Sequence, residues 1–173
     1  MTLRTKAAVL HILIGGALLS MTLVCAPSAS AQNTAVAATG PFGPLSGAWS
    51  GRGTVDTREG AHEHVRCKAT YEAKDAGQAV RLDLVCASDA YKFTLNGNIV
   101  QRGEALSGNW FESTRRVGGS LNGRNKGGLI EARAEGDTFT ALLTVKTTGG
   151  RQIFLMESPG SRFEQVKIEL SRN

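Results

Sequence analysis

The chain has 173 residues, of which 41% are hydrophobic, 6% aromatic and 20% charged, with 20 Lys and Arg against 15 Asp and Glu for a net charge of +5. That length, with near-average apolar content and interspersed charges of both signs, excludes a wholly disordered chain and a multi-pass membrane protein and leaves room for one domain. The three cysteines are an odd number for a disulfide framework until the start of the processed chain is considered.

Residues 1–31 have the three-part layout of a secretory signal peptide. Arg4 and Lys6 form a basic start, Ala7–Val24 an apolar run, and Ala29-Ser30-Ala31 a small-residue cleavage site before Gln32. An uncleaved anchor is the alternative, because the 18 residues of the run come near the roughly 20 a spanning helix needs, but Pro27 and the small-residue site favour cleavage. Val24 ahead of Cys25 does not suit a lipoprotein signal, and no Arg-Arg pair marks twin-arginine export. Cleavage takes away two basic residues and no acidic one, leaving 142 residues with the charge lowered from +5 to +3. The expected product is periplasmic or extracellular and not membrane-spanning, and so small a charge gives no ground for a nucleic-acid partner. Cys25 leaves with the signal, and Cys67 and Cys86 remain as an even pair in an oxidising compartment.

Residues 32–44 (QNTAVAATGPFGP) are small, polar and aperiodic, and read as a flexible leader. From residue 45 to residue 173 short alternating runs recur every 10 to 14 residues between glycine-rich turns. The predicted strands are 47–57, 63–73, 78–87, 91–96, 105–114, 118–123, 128–134, 138–147, 151–157 and 164–171. Predicted turns include Ala76-Gly77, Asn96-Gly97-Asn98, Asn122-Gly123 and Gly149-Gly150. No gap admits a crossover helix, so neighbours pair antiparallel, and closure removes the edges. The fold class is all-β, an antiparallel up-and-down β-barrel of about eight to ten strands forming a single domain.

Alternation then assigns faces. Val65, Cys67, Ala69, Tyr71 and Ala73 share one side of the second strand, and Val80, Leu82, Leu84 and Cys86 share one side of the third. A hairpin about Ala76-Gly77 with Asp75 opposite Gln78 places Cys67 directly opposite Cys86, through a loop of either two or four residues.

Leu45-Ser46-Gly47-Ala48-Trp49 returns as Leu106-Ser107-Gly108-Asn109-Trp110, two strands that begin alike with Leu and Trp inward. Along the first, Gly51 and Gly53 are expected to make room for the indole and to permit bending. Gly47-x-Trp49 ahead of an antiparallel meander resembles the calycin group of lipocalins and avidin-like proteins. That resemblance implies an interior site for small apolar ligands and a basic side chain of the last strand, Arg172 or Lys167, over the Trp. The ordered set Leu45-Ser-Gly-x-Trp-Ser-Gly, Glu63-x-Val-Arg-Cys67, Tyr71, Cys86-Ala-Ser88, Ser107-Gly-x-Trp110-x-Glu112 and Gly118-Gly-x-x-x-Gly123 resembles a group of small exported bacterial proteins without an assigned activity.

Glu112 shares the inward face of Trp110, and a carboxylate there must pair with a base, take up a proton or sit at a wet mouth. It is either a polar anchor for a ligand among Trp49, Tyr71, Tyr91 and Trp110, or part of a structural ion pair. Arg115, Arg116, Arg124 and Lys126 flank a glycine-rich stretch without acids, which is either a solvated hairpin or an anion patch for an acidic envelope component. His62 and His64 lack a third ligand for zinc, so no metal or cofactor is expected. No nucleophile motif is present, and the chain reads as non-enzymatic. Two functions follow: a barrel binding a small, partly apolar molecule, or a protein-interaction module such as a barrel-type protease inhibitor. A patch around Phe154 and Met156 would favour the second, because Ile153–Met156 is apolar on both faces.

Overall fold

A computed structural model describes residues 39–137 and 139–173. The expected signal peptide and residues 32–38 of the expected leader lie outside the described residues. Ten strands follow a 3₁₀ turn at Gly43–Leu45: β1 Gly47–Thr57, β2 His62–Lys74, β3 Ala79–Ala87, β4 Lys92–Arg102, β5 Ala105–Glu112, β6 Val117–Lys126, β7 Leu129–Gly136, β8 Thr140–Thr148, β9 Arg151–Glu157 and β10 Phe163–Arg172. Each pairs antiparallel with its chain neighbours, and β10 pairs with β1 to close the barrel. Closure satisfies the backbone groups that an open sheet would leave bare along two edges.

Two predicted turns are corrected. Asn96-Gly97-Asn98 lies inside β4 and Asn122-Gly123 inside β6, each with unbroken pairing on both sides. Asn-Gly is a local hairpin signal, and here the partners on both flanks override it. The leader boundary also moves. Gly40 N–H donates to Ala76 O at 2.8 Å and Phe42 N–H to Gly77 O at 3.0 Å, and Phe42 is fully buried with Leu45, Val80 and Leu106. Residues 40–45 therefore close one end of the barrel.

The β2–β3 ladder ends at Lys74 opposite Ala79, which fixes a four-residue connection. Cys67 faces Cys86 as expected, the two are joined as a disulfide, and their Cα atoms are 4.1 Å apart, on the close type of antiparallel rung. They sit in a cluster with Trp49, Val65, Leu84, Ile168 and Leu170 from β1, β2, β3 and β10. A second cluster, of Trp110, Leu121, Ala132 and Ala134, lines β5–β7.

Gly51 does not make room for the indole. A Cβ there would lie 1.8 Å from Glu169 O, so its role is the close approach of β1 to β10. Gly136 clears space for the other indole: a Cβ on it would be 3.2 Å from Trp110 Cζ2.

Candidate functional site

Up-and-down order places the β2–β3, β4–β5, β6–β7 and β8–β9 connections at one end with the 3₁₀ turn, and the remaining connections at the other. At the closed end Trp49 is fully buried, donates from Nε1 to Leu45 O at 2.8 Å and meets Tyr71 edge-on at 6.1 Å. The Arg172 guanidinium lies 4.7 Å from the centre of the indole and donates to Ser46 O and Pro44 O, so the last strand ties down the 3₁₀ turn. Arg172 takes the covering part that the calycin resemblance implied. Lys167 pairs instead with Glu169 at 2.9 Å.

The polar residues of this end were missed by sequence reasoning. Gln152 is 2% exposed, accepts from the Tyr71 hydroxyl at 2.5 Å and donates to Thr147 Oγ1 at 3.0 Å. Burial, opposed in part by that hydrogen bond, pushes the Tyr71 hydroxyl pKa well above the ordinary tyrosine value. Asn125 donates to Gln101 Oε1 at 2.9 Å, and both residues are buried. Gln152 is two residues from Phe154, so the strand period puts both on one face, which the structure shows to be the inner one. The composition-based habit of reading Gln as outward concealed it.

At the open end Tyr91 meets Phe163 edge-on at 5.9 Å, with Arg115 and Arg162 at 4.7 and 5.7 Å from the centre of the Phe163 ring. Glu112 faces inward as the period required and is 8% exposed. Its Oε1 accepts from the backbone N–H groups of Thr94 at 3.0 Å and Thr114 at 2.9 Å. Its Oε2 accepts from Arg115 N–H at 2.8 Å and from Arg115 Nη1 at 3.4 Å. Burial works against the charged form, but these bonds outweigh it and hold the carboxyl below the usual carboxylate range. The carboxylate is thus occupied in bracing the β5–β6 turn, where Arg116 adopts a left-handed φ of 59°.

The five residues grouped as a ligand cage do not converge. Trp49 and Tyr71 sit at the closed end and Tyr91 at the open end. Trp110 packs edge-on to Phe139 at 5.3 Å and donates to Ser120 O. The four basic residues separate as well. Arg115 and Arg116 are at the open end, whereas Arg124 and Lys126 lie about 25 Å away along β6, by the rise of eight extended residues. Lys126 is paired with Glu104 at 3.8 Å. Phe154 and Met156 form no outer patch: they point inward against the first cluster, and Ile153 is the exposed neighbour at 46%. His62 pairs with Asp56 at 2.7 Å. Among the described residues no group of three His, Cys, Asp or Glu side chains could hold a metal ion, and no helix is long and apolar enough to cross a membrane.

What the arrangement does offer is a stretch of inner wall built from small residues. An eight-stranded barrel is just wide enough for side chains to fill it. This barrel has ten strands, and its β6–β8 wall contributes Gly119, Gly123, Ala132, Ala134, Gly136 and Ala141 to the inside. Leu95, Ile99, Ile130 and Leu143 face that wall or belong to it, and are only partly buried.

No family model matches the chain, and no curated protein sequence matches it. Among solved structures, the barrel is similar to Rv2717c from M. tuberculosis, with a TM-score of 0.61 and 14% identity over 75% of this chain and 93% of that one. It is also similar to the S-type phycobiliprotein lyase CPES from Guillardia theta, with a TM-score of 0.52 and 10% identity over 76% and 90% of the two chains. At these identities the likeness is one of fold: a closed antiparallel barrel of the calycin, lipocalin-like type.

Proposed function

We propose that this is an exported, non-enzymatic protein that holds a small, partly apolar molecule in the barrel lumen, admitted past Tyr91, Phe93 and Phe163. The observation that carries the reading is the accessible surface kept by inward side chains at mid-strand. Leu95, Ile99, Leu143 and Phe154 are partly buried although a closed ladder surrounds them. Apolar walls with few polar groups are the usual make-up of a small-molecule site. Export is supported by the signal layout of residues 1–31 and by the Cys67–Cys86 disulfide. Glu112, with its oxygens already engaged, serves the rim as a brace.

Native mass spectrometry of protein purified from its own host tests this reading. The expected result is a small-molecule adduct on the wild type that is absent from Leu143→Trp, whose indole would fill the lumen. An adduct that persists in Leu143→Trp, or an empty wild type that also fails to bind an apolar fluorescent probe, would sink it.

A second reading, a protein-interaction module, has one observation in its favour. Leu142 and Ile153 are 53% and 46% exposed on the outer faces of β8 and β9. A stable complex captured from the exported fraction and lost on Ile153→Asp, with the lumen empty, would favour it.

A further inference from the structure

Charge is spread unevenly over the outer wall. β1–β3 and β7–β10 each carry outward charged residues, among them Arg52, Lys68, Arg81, Glu131, Lys146 and Lys167. Outward positions 94–100 of β4, 105–111 of β5 and 118–122 of β6 carry none, although 20% of the chain is charged, and Arg102 and Arg124 stand on either side of Ala105 at the closed-end edge. Register makes these positions a continuous panel. Phe111 stands in one rung between Asn96 and Gly118, and the next rung is Asn98–Asn109–Ser120. Val100, Ser107 and Asn122 form the rung beyond, with Val100 37% exposed.

Two sides of the panel are framed by neutralised charge, and its closed-end edge by Arg102 and Arg124. On the β3 side Arg81 Nε donates to Asp83 at 3.1 Å, and on the β7 side Arg133 Nε donates to Glu135 at 2.6 Å. Phe111 is 46% exposed. A Cβ on Gly118 would lie 3.1 Å from Phe111 Cδ2, so the ring lies beside Gly118 and the missing side chain leaves it accessible. Asn98 donates to Asn109 Oδ1 at 3.3 Å, which leaves the Asn109 amide free to donate outward. Among the described residues the side chains of Ser107, Ser120 and Asn122 have no hydrogen-bond partner in the protein.

An exposed aromatic face beside amides and hydroxyls, each able to donate and accept, with no charge among them, matches a polyhydroxylated ring that has an apolar C–H face. We infer that the outer face of β4–β6 is a binding surface for a neutral carbohydrate chain, with Phe111 as the stacking platform and Asn109, Ser120 and Asn122 as hydrogen-bonding partners. Three strands spaced about 4.8 Å apart and five residues rising about 3.3 Å each give a panel on the order of 240 Å². A stable protein partner needs about 800 Å² per side, with an apolar centre that Phe111 and Val100, two rungs apart, do not supply. A nucleic-acid backbone would need a row of cations across the panel, whereas Arg102 and Arg124 lie only at one edge. The inference is independent of what the lumen holds.

Affinity electrophoresis of the folded protein in native gels containing dextran, amylopectin or yeast mannan, with heparin as the charged control, tests it. The expected result is retardation by at least one neutral polysaccharide that added salt does not abolish. Phe111→Ala and Asn109→Ala should each weaken it by about tenfold, while Thr144→Ala, exposed on β8, leaves it unchanged. If Phe111→Ala does not fold by circular dichroism, Asn109→Ala and Ser120→Ala carry the test. Absence of retardation in all three neutral gels, retardation by heparin alone, or unchanged retardation in Asn109→Ala would each overturn the inference. Concentration-dependent self-association that Phe111→Ala abolishes would overturn it in favour of an interface between copies of this chain.

Discussion

Replacing Glu112 by Gln keeps the shape of the side chain and removes what the β5–β6 turn uses. A carboxylate offers only acceptors, and here both oxygens are taken by the backbone N–H groups of Thr94, Thr114 and Arg115. Gln supplies one acceptor oxygen and an NH₂ group, so at least one of those N–H groups is left facing a donor in a site only 8% exposed. Losing one or two bonds to a charged acceptor costs about 2–3 kcal/mol net. At about 2.1 cal/mol/K of unfolding entropy per residue, a barrel of about 135 residues converts that into a Tm lower by roughly 7–10 °C. Because the folded-state pKa lies below the ordinary 4.5, the carboxylate stabilises the fold above that value, and the contribution fades as pH falls through the folded value. Urea unfolding of both proteins at pH 7 and pH 3 reads the effect as a difference in midpoint at unchanged slope. The gap should be wide at pH 7 and narrow at pH 3. Equal midpoints at pH 7, or a gap that acid leaves intact, would refute the bracing role.

The double variant Cys67→Ala, Cys86→Ala opens a bridge of sequence separation 19, and in the chain-entropy picture should lose about 3 kcal/mol. Equal urea midpoints for the oxidised wild type and the variant would argue against the bridge. Tyr71→Phe leaves Gln152 Oε1 buried without its donor and should cost about 1–3 kcal/mol. In the wild type, ultraviolet titration should show one of the two tyrosines silent through the ordinary range, with stability falling as pH rises above 10 because only unfolding releases that proton. Two tyrosines ionising together near pH 10 in folded protein would contradict this. Gly136→Val drives a side chain against Gly118 O and the Trp110 indole, and should cost about 1–3 kcal/mol and shift tryptophan emission. An unchanged spectrum and Tm would remove the proposed contact.

The sequence carried the barrel because alternation and turn chemistry agree along most of the chain. Both bounds of β1 and β9 follow from it, and so does the Cys67–Cys86 register, since a tight hairpin leaves little freedom in pairing. Asn96-Gly97-Asn98 and Asn122-Gly123 misled because a dipeptide signals a turn whatever its cross-strand partners, and those partners are known only once the strands on either side are placed. Phe42 was hidden in a small, polar segment that lacks any period, and its burial depends on the Ala76-Gly77 turn it meets. At the site, period two told which face Glu112, Trp49 and Trp110 occupy but not how far along the barrel axis each lies, and so a shared face was taken for a shared place. The partners of Glu112 were illegible because they are backbone N–H groups, which every residue but proline supplies.

The disulfide and the bulky cluster lie together on β1–β3 and β10, whereas the small inward residues lie on β6–β8. Cohesion and capacity are therefore written on different strands. Enlarging Ala132, Ala134 or Ala141 changes the packing inside β6–β8 without touching the stapled sector. The inside of one sector can therefore vary by single substitutions while the sector that holds the bridge stays constant.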